Sequence, residues 1–409
     1  FAVVCLNGII NVAVPLLVSM SIAALMIQLK GSGGFSWGQV LCSYGFHMAF
    51  YCLIYAVSIA AVILTGNTLV GLLGISVFFL WGPAVVLLKK AYFAEYFVTF
   101  LADGNPERWV ERSSPVAWYI TSASSEHPAS RALWALIFAV IILEMALLLY
   151  RRRPSESAGR AMAFPVSQPI IKILLVIPIS LLGSLVFHSM MRSDGWSVFG
   201  LFCGLVISSC VIEIIYSFDF KRLFAHGWQM AGCGLFALAI LAFFRFDLSG
   251  YDSYLPGEDR LDSVGIYCSN LDQNALDVYG AEPSVYRDYM SNYRYVNWKY
   301  RNGRDVADEM RIFDMKPVLA VAKQGVSDTA GQRSRSFYHR FDEENGEDIY
   351  GYTILAYHLK SGKTVYRQYY MNLSAVAENL DKAYDLPEYK KAVYPVLSYE
   401  AGDIAGVNY

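Results

Sequence analysis

Seven runs of apolar residues, at 1–28, 39–64, 68–88, 132–150, 169–190, 196–216 and 227–246, constrain this chain more than any other feature. A helix crossing the hydrocarbon of a bilayer needs about 20 mostly apolar residues. Inside hydrocarbon every backbone N–H and C=O must find its partner within the protein, which leaves helices and closed barrels as the spanning structures. None of the runs has the two-residue alternation of a barrel strand, so helices are predicted. The composition agrees, since 17% of the residues are charged where a soluble domain carries about 25%.

Residues 251–409 need a different solvent. They are rich in tyrosine and hold 24 Asp/Glu against 18 Lys/Arg, a net of −6, whereas the first 250 residues hold 11 against 15, a net of +4. The expected fold is therefore a polytopic α-helical membrane protein, with about seven transmembrane helices, followed by a C-terminal α+β soluble domain. In that domain "IYGYTILAYHL", "KSGK" and "TVYRQYYMNL" read as two strands around a tight turn at Ser361 and Gly362. Residues 381–391 read as one short helix. The stretch "VYRDYMSNYRYVNWKYRNG" is either a ligand surface or, with the greater weight, aromatic packing in a small domain.

Six of the seven cysteines (Cys5, Cys42, Cys52, Cys203, Cys210 and Cys233) fall in apolar runs, where a thiol is usually a small packed hydrophobe. Cys268 stands apart from them. No CxxC or Cys/His spacing predicts a metal site or a disulfide framework. The chain begins at Phe1 within an apolar run and stops at Tyr409 in a Tyr/Gly stretch, so a longer parent protein is expected.

The segment "YRRRPSESAGRAMAF" supplies orientation. Arg151, Arg152, Arg153 and Arg160 follow the fourth run, and Lys221, Arg222 and His226 follow the sixth. The positive-inside rule puts both loops in the cytoplasm, and parity then puts residues 251–409 outside. Lys89 and Lys90 sit at the outer end of the third run, where long side chains can snorkel to the interface. The following stretch, 91–130, is amphipathic and broken by Gly104, Pro106 and Pro115, and is predicted to form interfacial or re-entrant helices on the external side.

Ionisable groups within the runs include Glu144, Glu213, His47, His188 and Arg245. Glu144 lies roughly 9 Å before the end of its helix, at 1.5 Å per residue, and is predicted to pair with the arginine cluster or the interface. Glu213 is expected to pair near Lys221. Asn7 and Asn11, four apart on one face, suit helix packing or a polar translocation surface. No phosphate loop, GxSxG or HExxH motif offers a catalytic anchor, so the chain is not expected to be an enzyme.

"YRRRPSESAGRAMAFPVSQPIIK", "FRFDLSGYDSYLP" and "YHLKSGKTVYRQYY" together resemble permease subunits of bacterial ABC exporters of the ABC-2 type, in particular the large multi-span permeases of Gram-positive bacteria with an added external domain. The resemblance runs over essentially the whole chain. It implies three parts: truncated exporter-like core helices at 1–150 with the external re-entrant segment at 91–130, a cytoplasmic basic loop with three further spans at 151–250, and an extracytoplasmic domain at 251–409. Phe1 would open the third helix of a six-helix core, with two helices and the main coupling helix upstream. The implied partners are a separate ABC ATPase, which would bind ATP and Mg, a second permease subunit as homo- or heterodimer, and membrane lipids. No cofactor on this chain and no nucleic acid is expected.

In this reading Arg151, Arg152, Arg153, Pro154, Glu156 and Arg160 form a candidate ATPase-coupling or lipid-facing loop, with Pro154 breaking the helix as it exits. Attraction to anionic lipid, about 1 kcal/mol per basic residue, is the competing role for the arginines. Asn7, Asn11, Glu144 and Glu213 are candidate translocation-path or packing residues. The rival functions are a membrane-anchored receptor whose external domain binds a ligand and, with less support, a lipid-acting enzyme.

Overall fold

The computed structural model describes residues 1–29, 36–102, 110, 113–123, 125, 127–154, 161–164, 167–217, 221, 223, 226–272, 284–287, 294–297, 302–334, 349–394 and 397. Its helices are α1 (Ala2–Leu29), α2 (Trp37–Leu64), α3 (Thr68–Tyr96), the short α4 (Pro115–Ala123), α5 (Pro128–Arg152), α6 (Ser167–Met191), α7 (Asp194–Ser217) and α8 (Gly227–Arg245). Seven of these, all but α4, are long and apolar enough to cross a membrane. The chain is a polytopic helical membrane protein carrying a C-terminal domain built on a small sheet. It forms two compact units, one of residues 1–91 with 103–241 and one of residues 92–102 with 242–409.

In the first unit, local chemistry sets the helix ends. Ser36 caps α2 by accepting from the Gln39 N–H, while the Gln39 side chain accepts from Ser36 N–H in a reciprocal box. Pro128 opens α5, where its missing N–H leaves nothing unpaired. Phe50, Leu53 and Ala56 of α2 pack on Ala135 and Ala139 of α5. Trp118 of α4 meets the Phe50 ring edge-on at 5.5 Å, and Tyr119 exchanges a 2.8 Å hydrogen bond with His47 Nδ1. Three α2 tyrosines, Tyr44, Tyr51 and Tyr55, donate to the backbone carbonyls of Ala13, Gly8 and Val4 on α1. Helices α6 and α7 touch backbone to backbone. A Cβ at Gly204 would sit 2.9 Å from the Ile179 carbonyl oxygen, and one at Gly183 would sit 2.5 Å from that of Gly200. The spacing of Gly200 and Gly204 is the small-xxx-small pattern that permits such approach in membranes.

The second unit contains β1 (Leu261–Cys268), β2 (Ser284–Arg287), β3 (Arg294–Asn297), α9 (Gly303–Glu309), α10 (Lys316–Ser334), β4 (Tyr350–Leu359), β5 (Thr364–Asn372), α11 (Ala377–Tyr384) and α12 (Pro387–Val393). The main sheet is antiparallel in the order β1-β4-β5, and β2 pairs with β3 separately. The hairpin at Ser361 and Gly362 forms as expected, with Gly362 at φ +77° and Tyr352 opposite Tyr370. The single helix expected at 381–391 is two helices, because Pro387 cannot continue α11 and instead starts α12. Register puts Gly265, Ala356 and Tyr366 on one sheet face and Ile266, Leu355, Tyr357, Tyr369 and Met371 on or beside the other. Helix α9 covers the first face, where a Cβ at Gly265 would collide with the Ala307 carbonyl, and α10 covers the second, with Gly325 against the Tyr369 ring. The side chains of the aromatic stretch at 285–301 lie outside the described residues.

The start of this unit is fixed by two aspartates. Helix α8 ends with Asp247 in the left-handed region at φ +47°. The Asp247 N–H donates to Phe244 and the Leu248 N–H to Phe243, which satisfies the last carbonyls of the helix. The Asp247 carboxylate accepts from the N–H groups of Tyr251 and Asp252. Asp252, 5% exposed, accepts in turn from Val98 N–H, Thr99 N–H and the Thr99 hydroxyl at 3.3, 3.1 and 2.9 Å. The Thr99 carbonyl then accepts from Gln368 N–H, covering the free edge of β5. Phe97 stacks on Tyr251 at 4.5 Å, and the Arg367 guanidinium lies 3.8 Å over the same Tyr251 ring. Deeper in the domain, burial raises the Asp272 carboxyl above its ordinary value, and Tyr389 donates to it at 2.7 Å. Replacing Asp252 by Ala leaves two backbone donors buried without an acceptor and is expected to cost about 2–3 kcal/mol. Faster hydrogen exchange in β5 of the detergent-solubilised chain, with a smaller change for Asp252→Asn, is the readout.

Candidate functional site

A cluster of polar residues of the first unit gathers where α2, α5 and α7 end and α3, α6 and α8 begin. Helix α5 stops after Arg152, and Pro154 follows the Arg153 C-cap. The Arg153 guanidinium donates to the Thr65 carbonyl at 2.9 Å, in the turn between α2 and α3. The same turn is paired by a short extended segment. Thr65 and Met162 form an antiparallel bridge, Ala163 N–H donates to Leu64 at 2.9 Å and Gly66 N–H to Ala161 at 3.3 Å. Ala161, Met162 and Ala163 are buried, and the first two pack with Val70, Ile171, Ile215 and Tyr216. Residues 161–163 therefore sit as a wedge between the start of α3 and the α6–α7 pair.

Beside the wedge lies a buried ion pair. Lys172 Nζ donates to Glu213 Oε1, with both side chains almost fully buried. His226 Nδ1 is 2.9 Å from the same carboxylate oxygen, and its ring is largely exposed. Tyr216 donates to the Gln168 carbonyl at 3.2 Å, and Gln229 Nε2 to the Pro169 carbonyl at 3.0 Å. These two bonds occupy backbone acceptors near the start of α6. Pairing at Glu213 neutralises two charges that hydrocarbon could not solvate singly.

A cavity of about 420 Å³ adjoins the cluster, bounded by α2, α3, α6 and α7 together with the segments carrying Met162 and Ser113. Proline explains one of its walls. Pro178 lies inside α6, so the Leu174 carbonyl four residues earlier has no intrahelical donor. Trp81 of α3 supplies one, with Nε1 at 2.8 Å from that oxygen. One residue on, Gly82 leaves room for the Ser113 backbone, into which a Cβ would run.

This arrangement changes the pairing expected of Glu213 and the end expected of α3, and it places the other candidates without overturning them. Glu213 pairs with Lys172 and His226, not near Lys221, because α6 and α7 are antiparallel and bring residues 172 and 213 face to face. Glu144 is exposed on α5 and makes no ion pair among the described residues. Its helix turns it away from the Arg153 guanidinium, which is committed to a carbonyl. Asn7 and Asn11 are both exposed on α1 and are not the residues that bind α2. Arg151 and Arg152 are exposed, whereas Glu156 and Arg160 lie outside the described residues. His188 bonds Ser197 at 2.5 Å across the α6–α7 turn. Helix α3 runs on to Tyr96, so Lys89 and Lys90 lie within the helix and not at its end.

Lys172 and Trp81 were not singled out from the sequence. A lone lysine inside "QPIIKILLV" signals a carboxylate on a neighbouring span, and a proline inside a span signals a carbonyl in need of a donor.

The fold defines a multi-pass helical membrane protein, with a buried ion pair and a backbone-paired wedge at one end of its spans. A family described as a domain of unknown function (DUF6449) matches residues 357–409, from the last three residues of β4 through β5, α11 and α12 and on to residue 409. No curated protein and no solved structure matches the chain.

Removal of one partner from a buried ion pair costs about 3–5 kcal/mol, while removal of both is often close to neutral. Glu213→Gln, which strands Lys172, is expected to lower the melting temperature in detergent more than Lys172→Met, which leaves Glu213 with His226. The double variant should recover much of the loss. Equal and additive effects in a thermal-shift series would contradict the pairing.

Proposed function

We propose that this chain is the transmembrane permease subunit of an ATP-driven exporter of the ABC-2 type, moving a substrate across the cell membrane with a separate ATPase. The observation that carries the reading is the wedge: Arg153 and residues 161–163 tie the α2–α3 turn to α5, α6 and α7 at the end of the helices where Arg151 and Arg152 are exposed. A partner pressing there would move several helix ends together, which is what coupling to nucleotide hydrolysis requires. The resemblance of the loop and its flanks to ABC-2 permeases supports the same reading. ATP and Mg belong to the partner, and the two exposed arginines would face acidic groups on it. A second permease subunit completes the translocation unit.

A receptor reading has one observation in its favour. The sheet domain is clamped by Asp252 to the segment that continues α3, so a ligand held on the sheet would bear on that helix end. The two readings separate on partner dependence. Affinity purification of the full-length protein from its native membrane should bring down a stoichiometric ATPase whose turnover the permease stimulates. Arg151→Glu with Arg152→Glu should weaken that association about tenfold, equivalent to about 1.4 kcal/mol. Absence of any ATPase under gentle detergent, together with ligand-dependent exchange changes at 92–102, would decide for the receptor.

The basic loops belong in the cytoplasm and residues 251–409 outside under this proposal. In a background freed of native cysteines, a cysteine replacing Ser361 should react with an impermeant maleimide in intact cells. One replacing Arg152 should react only after permeabilisation. The reverse pattern would invert the topology and remove the coupling surface.

A further inference from the structure

The cavity between α3 and the α6–α7 pair lies within the membrane-spanning part of the chain, and its walls say what can occupy it. Four wall residues carry polar side-chain atoms able to donate, and each is already spent on the protein. The Thr65 hydroxyl donates to Val62, the Trp81 indole to Leu174, the Ser113 hydroxyl to Val110 and the Tyr216 hydroxyl to Gln168. The remaining wall is aliphatic and aromatic. Water needs two to four polar partners to stay in such a space, and a polar substrate needs more. At about 420 Å³ the cavity is also too large for tight packing to leave empty in a bilayer.

Its length and opening fit a hydrocarbon chain. Along α3 the wall runs from Val70 to Gly82, which is about 18 Å at 1.5 Å per residue. Half of a bilayer's hydrocarbon is about 15 Å. Leu73 and Phe78 of α3 and Leu174 of α6 line the cavity and are 44%, 45% and 44% exposed. The cavity therefore opens sideways between α3 and α6, toward lipid. At its other limit the Thr65–Met162 bridge closes it, and there Arg153 binds the Thr65 carbonyl while Arg151 and Arg152 stand exposed in the preceding turn. That end carries exposed positive charge in the last turn of a span-length helix, where a headgroup phosphate would meet it.

We propose that the cavity is a binding site for one anionic phospholipid, an acyl chain lying between α3 and α6 and the phosphate against Arg151 and Arg152. The lipid would fill the gap that Trp81 and Gly82 bridge and so set the spacing between α3 and the α6–α7 pair. The acyl-chain site on the cavity walls does not depend on which partner drives the protein, whereas a partner's acidic groups would compete with the lipid phosphate for Arg151 and Arg152.

The test uses the full chain in nanodiscs of phosphatidylglycerol and phosphatidylcholine, with a phosphatidylglycerol carrying a photoreactive acyl chain. Gly74→Leu fills the cavity without disturbing its wall, since a Cβ at Gly74 meets its nearest neighbours at 3.8 and 3.9 Å. The wild type should crosslink at cavity-lining residues of α3 and α6 and should retain about one phosphatidylglycerol per chain by native mass spectrometry. Gly74→Leu, checked for a single symmetric elution peak, should reduce both signals about tenfold. Arg151→Ala with Arg152→Ala should keep the crosslink sites but lose the preference for phosphatidylglycerol over phosphatidylcholine. Crosslinks spread evenly over all lipid-facing helices, or full retention by a folded Gly74→Leu variant, would overturn the proposal. An unchanged headgroup preference in the arginine variant would overturn its electrostatic half.

Discussion

Hydrocarbon supplies no hydrogen bonds, and the packing of the first unit answers that constraint at one helix interruption and one helix turn. Pro178 frees the Leu174 carbonyl, and the Trp81 indole takes it up from α3. The turn that closes α2 exposes the Thr65 carbonyl, and Arg153 takes it. The backbone of that same turn is paired by residues 161 and 163 as if it were a sheet edge. Each repair uses a residue distant in sequence, so each also fixes one element against another. Satisfying the backbone and assembling the helices are, in this region, one process.

The charged groups follow the same logic. A lysine and a glutamate near the ends of α6 and α7 are tolerated because the close crossing at Gly183, Gly200 and Gly204 holds the helices in a register that brings them together. His226, from the start of the next helix, adds a polar contact on the exposed side of the pair. The sheet unit shows the soluble counterpart. Asp247 ends a helix and orients Asp252, and Asp252 spends its carboxylate on the backbone of residues 98 and 99. One carboxylate with three donors keeps the edge of β5 covered, a place where an open strand would invite aggregation.

Much of the fold was legible in the sequence because length and hydropathy carry it. The seven apolar runs became seven long helices with ends displaced by a few residues, and the larger displacement, at α3, arose because the helix continues past Lys89 and Lys90 into an aromatic segment. The hairpin at Gly362 was legible from alternation and turn chemistry, whereas 381–391 was misread by passing over Pro387. The site was far less legible. Nearness along the chain favours Lys221 as the partner of Glu213, whereas the antiparallel crossing supplies Lys172. Asn7 and Asn11, spaced for packing, sit exposed while three tyrosines of α2 make the contacts to α1.

The sequence by itself determined that the chain lives in a membrane, how many helices are long enough to cross it, and that a separate small α+β domain follows. Those are properties of local composition and periodicity, which need no knowledge of neighbours. Only the tertiary structure decided which polar groups meet: Lys172 with Glu213, Trp81 with the carbonyl orphaned by Pro178, Arg153 with Thr65, and Asp252 with Thr99. It also decided that α3 stands off from α6 and α7 by an apolar cavity whose polar wall groups are all turned back into the protein. Pairings of that kind depend on helix rotation and crossing angle, which are set by contacts across the fold and not by any one segment.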